Sequence, residues 1–298
     1  MSRETTTLIR TAALIATSLT AVASAQTASF TINSASSAGD LGSAGNTTAT
    51  GTFTSSFVAQ SLTWSGDITS TPNFFFFEQD VYASVSGPNG IGYTGAVAGE
   101  QGIFLGTTPF SGWNSGFTPA SVNGDWSFEA YTETGGTEWT MLDTEFSFNA
   151  ALFPAAEPIA IGTDLDAPIT EGEILWYSIE HSGGAIEFST AGSQLAELEG
   201  NIMPNDTIVA LYDSTGALVG SDTDGDIGFT SLLSFADLAS GEYHLAVTGY
   251  TLGTRVGDNF IATSHDAEGT ISLSVTVPTP GTMLLFAGIT ATAIRRRR

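Results

Sequence analysis

Apolar and polar residues alternate one by one through much of the interior of this 298-residue chain. Val81, Ala83 and Val85 are interleaved with Tyr82 and Ser84, and Trp126, Phe128 and Ala130 with Asp125, Ser127 and Glu129. The same rhythm returns at Tyr243, Leu245 and Val247, and again at Ile271, Leu273, Val275 and Val277. A period of two sends every second side chain to one face of an extended backbone, which predicts strands with one buried face. Gly is frequent (34 residues) and Ser and Thr are abundant, a mixture that suits many short strands joined by turns. Only the short stretch from Ser193 to Leu198 reads as a helix. The expected class is all-β.

Around residues 153–167 the rhythm lapses into a Pro- and Ala-containing stretch that includes Phe153, Pro154, Ala155, Ala156, Glu157 and Pro158. It reads as a linker between two segments of ordinary domain size. The expectation is two β-sandwich, jelly-roll-like domains in tandem, over 26–152 and 168–277, with one larger sandwich as the alternative.

Charge is segregated along the chain. All seven basic residues are arginines: Arg3, Arg10, Arg255 and the run Arg295, Arg296, Arg297 and Arg298. Between residue 26 and Pro280 there is one arginine against 30 of the 31 carboxylates, hence a net charge of −29. Such a body repels nucleic acid, whose binding rests on cationic contacts to phosphate. Cysteine is absent, so disulfides, zinc–thiolate sites and thiol nucleophiles are excluded.

Residues 1–25 run from a positive stretch (Arg3, Arg10) through the apolar Thr11–Val22 to Ala23, Ser24 and Ala25. That order is the layout of a secretory signal peptide with a small-residue cleavage site, to be removed by signal peptidase. The far end carries Val277, Pro278, Thr279, Pro280 and Gly281, then an apolar segment, then four arginines. A helix over 281–294 would be about 21 Å long, short of the ~30 Å hydrocarbon core, so its stay in a membrane would be transient. This end resembles the PEP-CTERM sorting signals of Gram-negative bacteria, with Thr279 where the family usually has Glu. The resemblance covers residues 278–298 and implies handling by an exosortase and delivery to the cell surface or extracellular matrix. A plain membrane anchor is the alternative.

Leu175–Ile179, Asn205–Gly216, Asp222–Asp226, Ser231–Leu233 and Gly241–Val247 together resemble the bacterial pre-peptidase C-terminal domain, over roughly residues 160–277. That resemblance implies a small β-sandwich that accompanies secreted enzymes without catalysing. Asp80–Gly90 and Asn123–Tyr131 are similar to the proprotein-convertase P domain, a jelly-roll, with Thr132 replacing a later Asp of its pattern.

Candidate chemistry is sparse. Gly90, Gly92 and Gly95 match the dinucleotide fingerprint as a string, but no helix-forming segment follows, and a turn is the better reading. His181, His244 and His265 lie in no H-E-x-x-H motif, and no G-x-S-x-G elbow supplies a nucleophile. The expected function is therefore non-catalytic, with a secreted hydrolase as the third alternative. Four tryptophans (Trp64, Trp113, Trp126 and Trp139) fall in the first segment. Trp113, in a Gly/Ser-rich surrounding, is the candidate for exposure and for stacking on a sugar, which would make the chain an exopolysaccharide-binding module. Asp222, Asp224 and Asp226 place three carboxylates at alternate positions, the type of hard oxygen ligand that Ca²⁺ takes. Gly225 at position 4 and Leu233 at position 12 rule out an EF-hand, and a solvated acidic turn is the competing reading.

Overall fold

The computed structural model describes residues 15–17, 26–55, 57–70, 81–88, 92–98, 107–132, 139–197, 205–226, 229–250, 254–265 and 267–278. Among them every regular element longer than one turn is a strand, as the alternation predicts, and no helix is long and apolar enough to cross a membrane. The chain divides into two compact units.

The first unit comprises residues 1–154, 171–173 and 250–266. Its strands are β1 (Ile15–Thr17), β2 (Thr27–Ser36), β3 (Thr48–Phe53), β4 (Val58–Ala59), β5 (Ser61–Ser70) and β6 (Val81–Ser86). They continue with β7 (Gly92–Ala98), β8 (Thr107–Asn114), β9 (Ala120–Ser121), β10 (Gly124–Tyr131) and β11 (Trp139–Asn149). Two later strands, β21 (Arg255–Gly257) and β22 (Phe260–Thr263), also belong to it. A seven-stranded sheet runs β1-β2-β11-β5-β8-β22-β21, and a four-stranded sheet runs β3-β10-β6-β7.

The inward residues of these two sheets share one core. Phe30, Trp64, Phe146 and Phe148 come from the larger sheet, and Val85, Trp126 and Phe128 from the smaller. Trp126 and Phe148 have ring centroids 4.1 Å apart, and Phe128 and Phe146 5.3 Å, so the contact is largely aromatic. In β11 the alternation is reset by an irregularity between Leu142 and Glu145, where Asp143 has a φ of 44° and Thr144 takes the buried place. Gly66 lies beneath it. A Cβ there would come within 2.7 Å of the Thr144 Cα, so only glycine fits.

The second unit comprises residues 155–170, 174–249 and 267–298. Its strands are β12 (Glu157–Pro158), β13 (Thr163–Ile169), β14 (Ile174–His181), β15 (Gly184–Ser189) and β16 (Gln194–Glu197). They continue with β17 (Thr207–Asp213), β18 (Leu218–Asp222), β19 (Leu232–Leu238), β20 (Gly241–Gly249) and β23 (Ala267–Thr276). One sheet runs β12-β14-β20-β17-β18, the other β13-β23-β15-β19, with β16 also pairing β23. Tyr177, Val209, Leu211 and Leu245 of the first meet Ile186, Phe188, Ile271 and Leu273 of the second in a core that is mostly aliphatic.

Three sequence expectations change here. The stretch expected to be helical forms strand β16, pairing Gln194 with Thr270 and Glu197 with Ala267; Leu198 lies outside the described residues. A single turn of helix is hard to nucleate, whereas the edge of β23 offers a ready ladder. Of the residues read as a linker, β13 pairs with β23 from Thr163↔Val275 to Ile169↔Gly269, so much of that stretch is structural. Gly92 and Gly95 lie within strand β7 instead of a turn, and Gly90 is outside the described residues. The apolar sorting segment and Arg295–Arg298 also lie outside them, as do Phe74–Phe77.

Candidate functional site

The acidic segment of the second unit begins at a hairpin. β17 and β18 are joined by Asp213, Ser214, Thr215 and Gly216, with Gly216 at a φ of 92°. Asp213 accepts hydrogen bonds from the Thr215 amide (2.8 Å), the Thr215 hydroxyl (2.7 Å) and the Ala217 amide (3.1 Å). Partial burial alone would raise its pKa; these hydrogen bonds outweigh it and hold the carboxyl below its usual 3.8.

Asp222 ends β18, and its Oδ2 accepts from the Gly225 and Leu232 amides, each at 2.8 Å. Asp226 Oδ2 accepts from the Ser189 hydroxyl at 2.5 Å, and its own amide donates to the Thr230 carbonyl. Asp224 is exposed and accepts only a long bond from Thr223. The three carboxylates are thus spent on separate tasks. Among the described residues no group of three or more His, Asp or Glu is placed to hold a metal ion. Alternate spacing gathers carboxylates only when the loop folds them toward one point, and among the described residues this loop turns Asp222 toward main-chain amides and Asp226 toward Ser189.

Behind this loop lies a polar cluster that sequence reading misses. Thr190, Thr207 and Ser231 are fully buried. The Thr190 and Thr207 hydroxyls lie 2.6 Å apart, the Ser231 amide donates to Thr190 Oγ1 (2.8 Å), and the Ser231 hydroxyl donates to the Thr207 carbonyl (2.6 Å). Satisfied in this way, three hydroxyls can stay in a dry interior. Their separation by up to 41 positions leaves no local pattern to find them by.

The histidines are structural in their surroundings. His265 is fully buried with Nε2 3.0 Å from the Glu173 carbonyl, and His181 is nearly buried with Nε2 3.2 Å from the Gly184 carbonyl. In both rings Nε2 is held against a main-chain carbonyl in the interior, which fixes the ring's orientation. His244 sits 3.6 Å from Glu242; burial lowers its pKa and the carboxylate partly offsets this.

Trp113 is not exposed. It has no accessible surface, its Nε1 donates to the Leu152 carbonyl (2.8 Å), and its ring stacks on Phe153 at 5.0 Å. All five tryptophans are buried, Trp176 being the least so at 9% exposure. The expected sugar contact through Trp113 is therefore corrected, since a buried indole has no free face for a pyranose ring. Of the sorting motif, Val277 and Pro278 are described, and Val277 is 58% exposed immediately after β23.

No protein-family model matches the sequence, and no curated protein matches it. Among solved structures, the chain is similar to the pre-peptidase C-terminal domain of collagenase from Bacillus anthracis, at 18% identity over 41% of this chain and 94% of that one, with a TM-score of 0.28. It is also similar to the N-terminal CBM22-1–CBM22-2 tandem domain of Xyn10C from Paenibacillus barcinonensis, at 10% identity over 89% and 91% of the two chains, with a TM-score of 0.27. A third likeness, at 10% identity and a TM-score of 0.19, is to a putative secreted protein from Parabacteroides distasonis, over 84% of this chain and 90% of that one.

Proposed function

We propose that this chain is an exported, non-catalytic protein of the cell surface or extracellular matrix, sorted by an exosortase-type system of a Gram-negative-type bacterium. The observation that carries the reading is the segregation of charge. Six of seven arginines sit at the two ends beside apolar stretches, around a body that holds 30 of 31 carboxylates. Signal peptidase and exosortase are its partners during export, and the membrane is met only in passing, through 281–294. At its destination a body at −29 stays soluble beside exopolysaccharide and shuns nucleic acid. The burial of His181 and His265 against main-chain carbonyls supports the absence of catalysis.

Mass spectrometry of the surface-exposed protein tests the reading. The expected N-terminus is Gln26, and Arg295–Arg298 are expected to be missing. Surface material that keeps the arginine tail overturns the sorting, and turnover of an ester, peptide or glycoside substrate overturns the non-catalytic role.

A further inference from the structure

Strand β2 is covered on one side by β11 along nearly its whole length, from Thr27↔Asn149 to Ser36↔Thr140. On its other side, among the described residues, it has the three residues of β1, paired Ile15↔Thr31, Ala16↔Phe30 and Thr17↔Ser29, and at its C-terminal end Thr47, which bonds the Ser36 amide and carbonyl. β1 lies within residues 1–25, the segment assigned to signal peptidase, and an open β2 edge rests on that removal. Cleavage before Gln26 strips β1 away and makes β2 the edge of its sheet. An edge strand presents a row of main-chain donors and acceptors ready to pair with another strand, and proteins blunt such edges with charge, proline or brevity. Several other edges are blunted: β13 carries Asp164, Asp166 and Pro168, β12 is only Glu157 and Pro158, and β21 is three residues long and carries Arg255, while the uncharged edges β3 and β7 are shorter than β2 and contain glycine. β2 has ten residues with no charge, proline or glycine.

We propose that the processed protein pairs through β2 with β2 of a second copy, antiparallel, joining the two large sheets edge to edge. Two features select a second copy as the occupant. Antiparallel pairing of identical strands keeps Ala28, Phe30 and Ile32 of both copies on the buried face and Ser29 and Thr31 of both on the polar one, because the side-chain period is two. The charge pattern points the same way. A chain at −29 repels its own copies, yet residues 26–39 contain no charged side chain, so two copies can meet along β2 without apposing carboxylates of that strand.

The test uses the exported protein, its N-terminus read by mass spectrometry. Light scattering should show a concentration-dependent doubling of mass, strengthened by NaCl because salt screens the repulsion between copies. Because the chain has no cysteine, single variants report proximity cleanly. With the pair centred on Thr31, that residue faces its own copy, so Thr31→Cys should give disulfide-linked dimers, as residues facing each other across an antiparallel pair have Cβ atoms about 4.5–5.5 Å apart. Ser221→Cys, exposed on β18, should not. Thr31→Lys should be monomeric with an undiminished thermal melt, since the lysine faces Glu145 within its own chain and its like in the partner strand. A protein beginning at Gln26 that stays monomeric at every concentration and salt, or that cross-links no faster at 31 than at 221, overturns the pairing alone. A surface protein that retains residues 1–25 overturns the processing and the open edge together.

Discussion

Trp113 lies on the side of β8 opposite to the shared core. Phe110 of the same strand points into that core, and Gly112 stands where a further apolar side chain would be expected. The Trp64 ring occupies that place, so any Cβ at 112 would collide with it. That substitution of a ring from the neighbouring strand for a local side chain is why the Gly/Ser-rich sequence around Trp113 looks like a loop and is a strand. Truncating the buried indole removes the stack on Phe153 and orphans the Leu152 carbonyl. Trp113→Ala should cost about 3–5 kcal/mol of stability, the range for large-to-small core changes, and should leave polysaccharide binding no different from that of other equally destabilised variants. Trp113→Phe keeps an aromatic ring beside Phe153 and loses the hydrogen bond together with part of the buried volume, so its cost should be smaller, about 1–3 kcal/mol. Urea unfolding of the two variants checks the order; an unchanged midpoint for Trp113→Ala would mean that the side chain is not buried in solution.

At the scale of elements, regular alternation made strands legible: β6, β10 and β23 bury the residues the pattern selects, apart from Val277 just past β23, and β20 buries Tyr243, Leu245 and Val247 but Ala246 and Thr248 as well. β17 was less so, because Thr207–Tyr212 is buried on both faces and shows no alternation at all. β13 hid behind Pro168 and its paired aspartates, which belong to an edge strand and mimic a linker. The loops read well as turns and poorly as sites, since their carboxylates hold local amides. Asp222→Ala leaves the Gly225 and Leu232 amides without their acceptor and should cost about 1 kcal/mol, the low end for a lost hydrogen-bond partner because Gly225 is open to water. Asp222→Asn retains an acceptor oxygen and should cost less. Asp213 makes a pH prediction. Its folded pKa lies below the unfolded value, so its stabilisation is present above pH 3.8 and is lost as pH falls through the lowered folded value. The stability difference between the unmodified protein and Asp213→Asn should therefore be level above about pH 5 and shrink on acidification. A difference that grows as pH falls contradicts the hydrogen-bonded turn.

For the whole molecule, the sequence divides more simply than the fold does. Each unit draws on several stretches of chain, and residues 250–266 contribute β21 and β22 to the first unit although they lie late in the sequence. No local pattern could show this, because pairing of β22 with β8 joins Phe260 to Asn114 across more than a hundred residues. Proteolysis can test it, owing to an oddity of composition. Lysine is absent, and between residue 26 and Pro280 the only arginine is Arg255. Within that stretch trypsin therefore has a single site, and that site opens β21, where Arg255 is paired with Ala262 and half-buried. A protease needs an extended, unpaired segment, so cleavage there must wait for β21 to detach from the sheet. The native protein should survive trypsin largely intact, and the urea-unfolded protein should yield two fragments that meet at Arg255. Gly257→Pro, placed in the β21 ladder opposite Phe260, removes a main-chain donor while leaving the Arg255–Val256 bond intact, and should speed the native cut without changing the fragments. Rapid cleavage of the unmodified native protein at Arg255 would show that residues 250–266 are not held in the first unit's sheet.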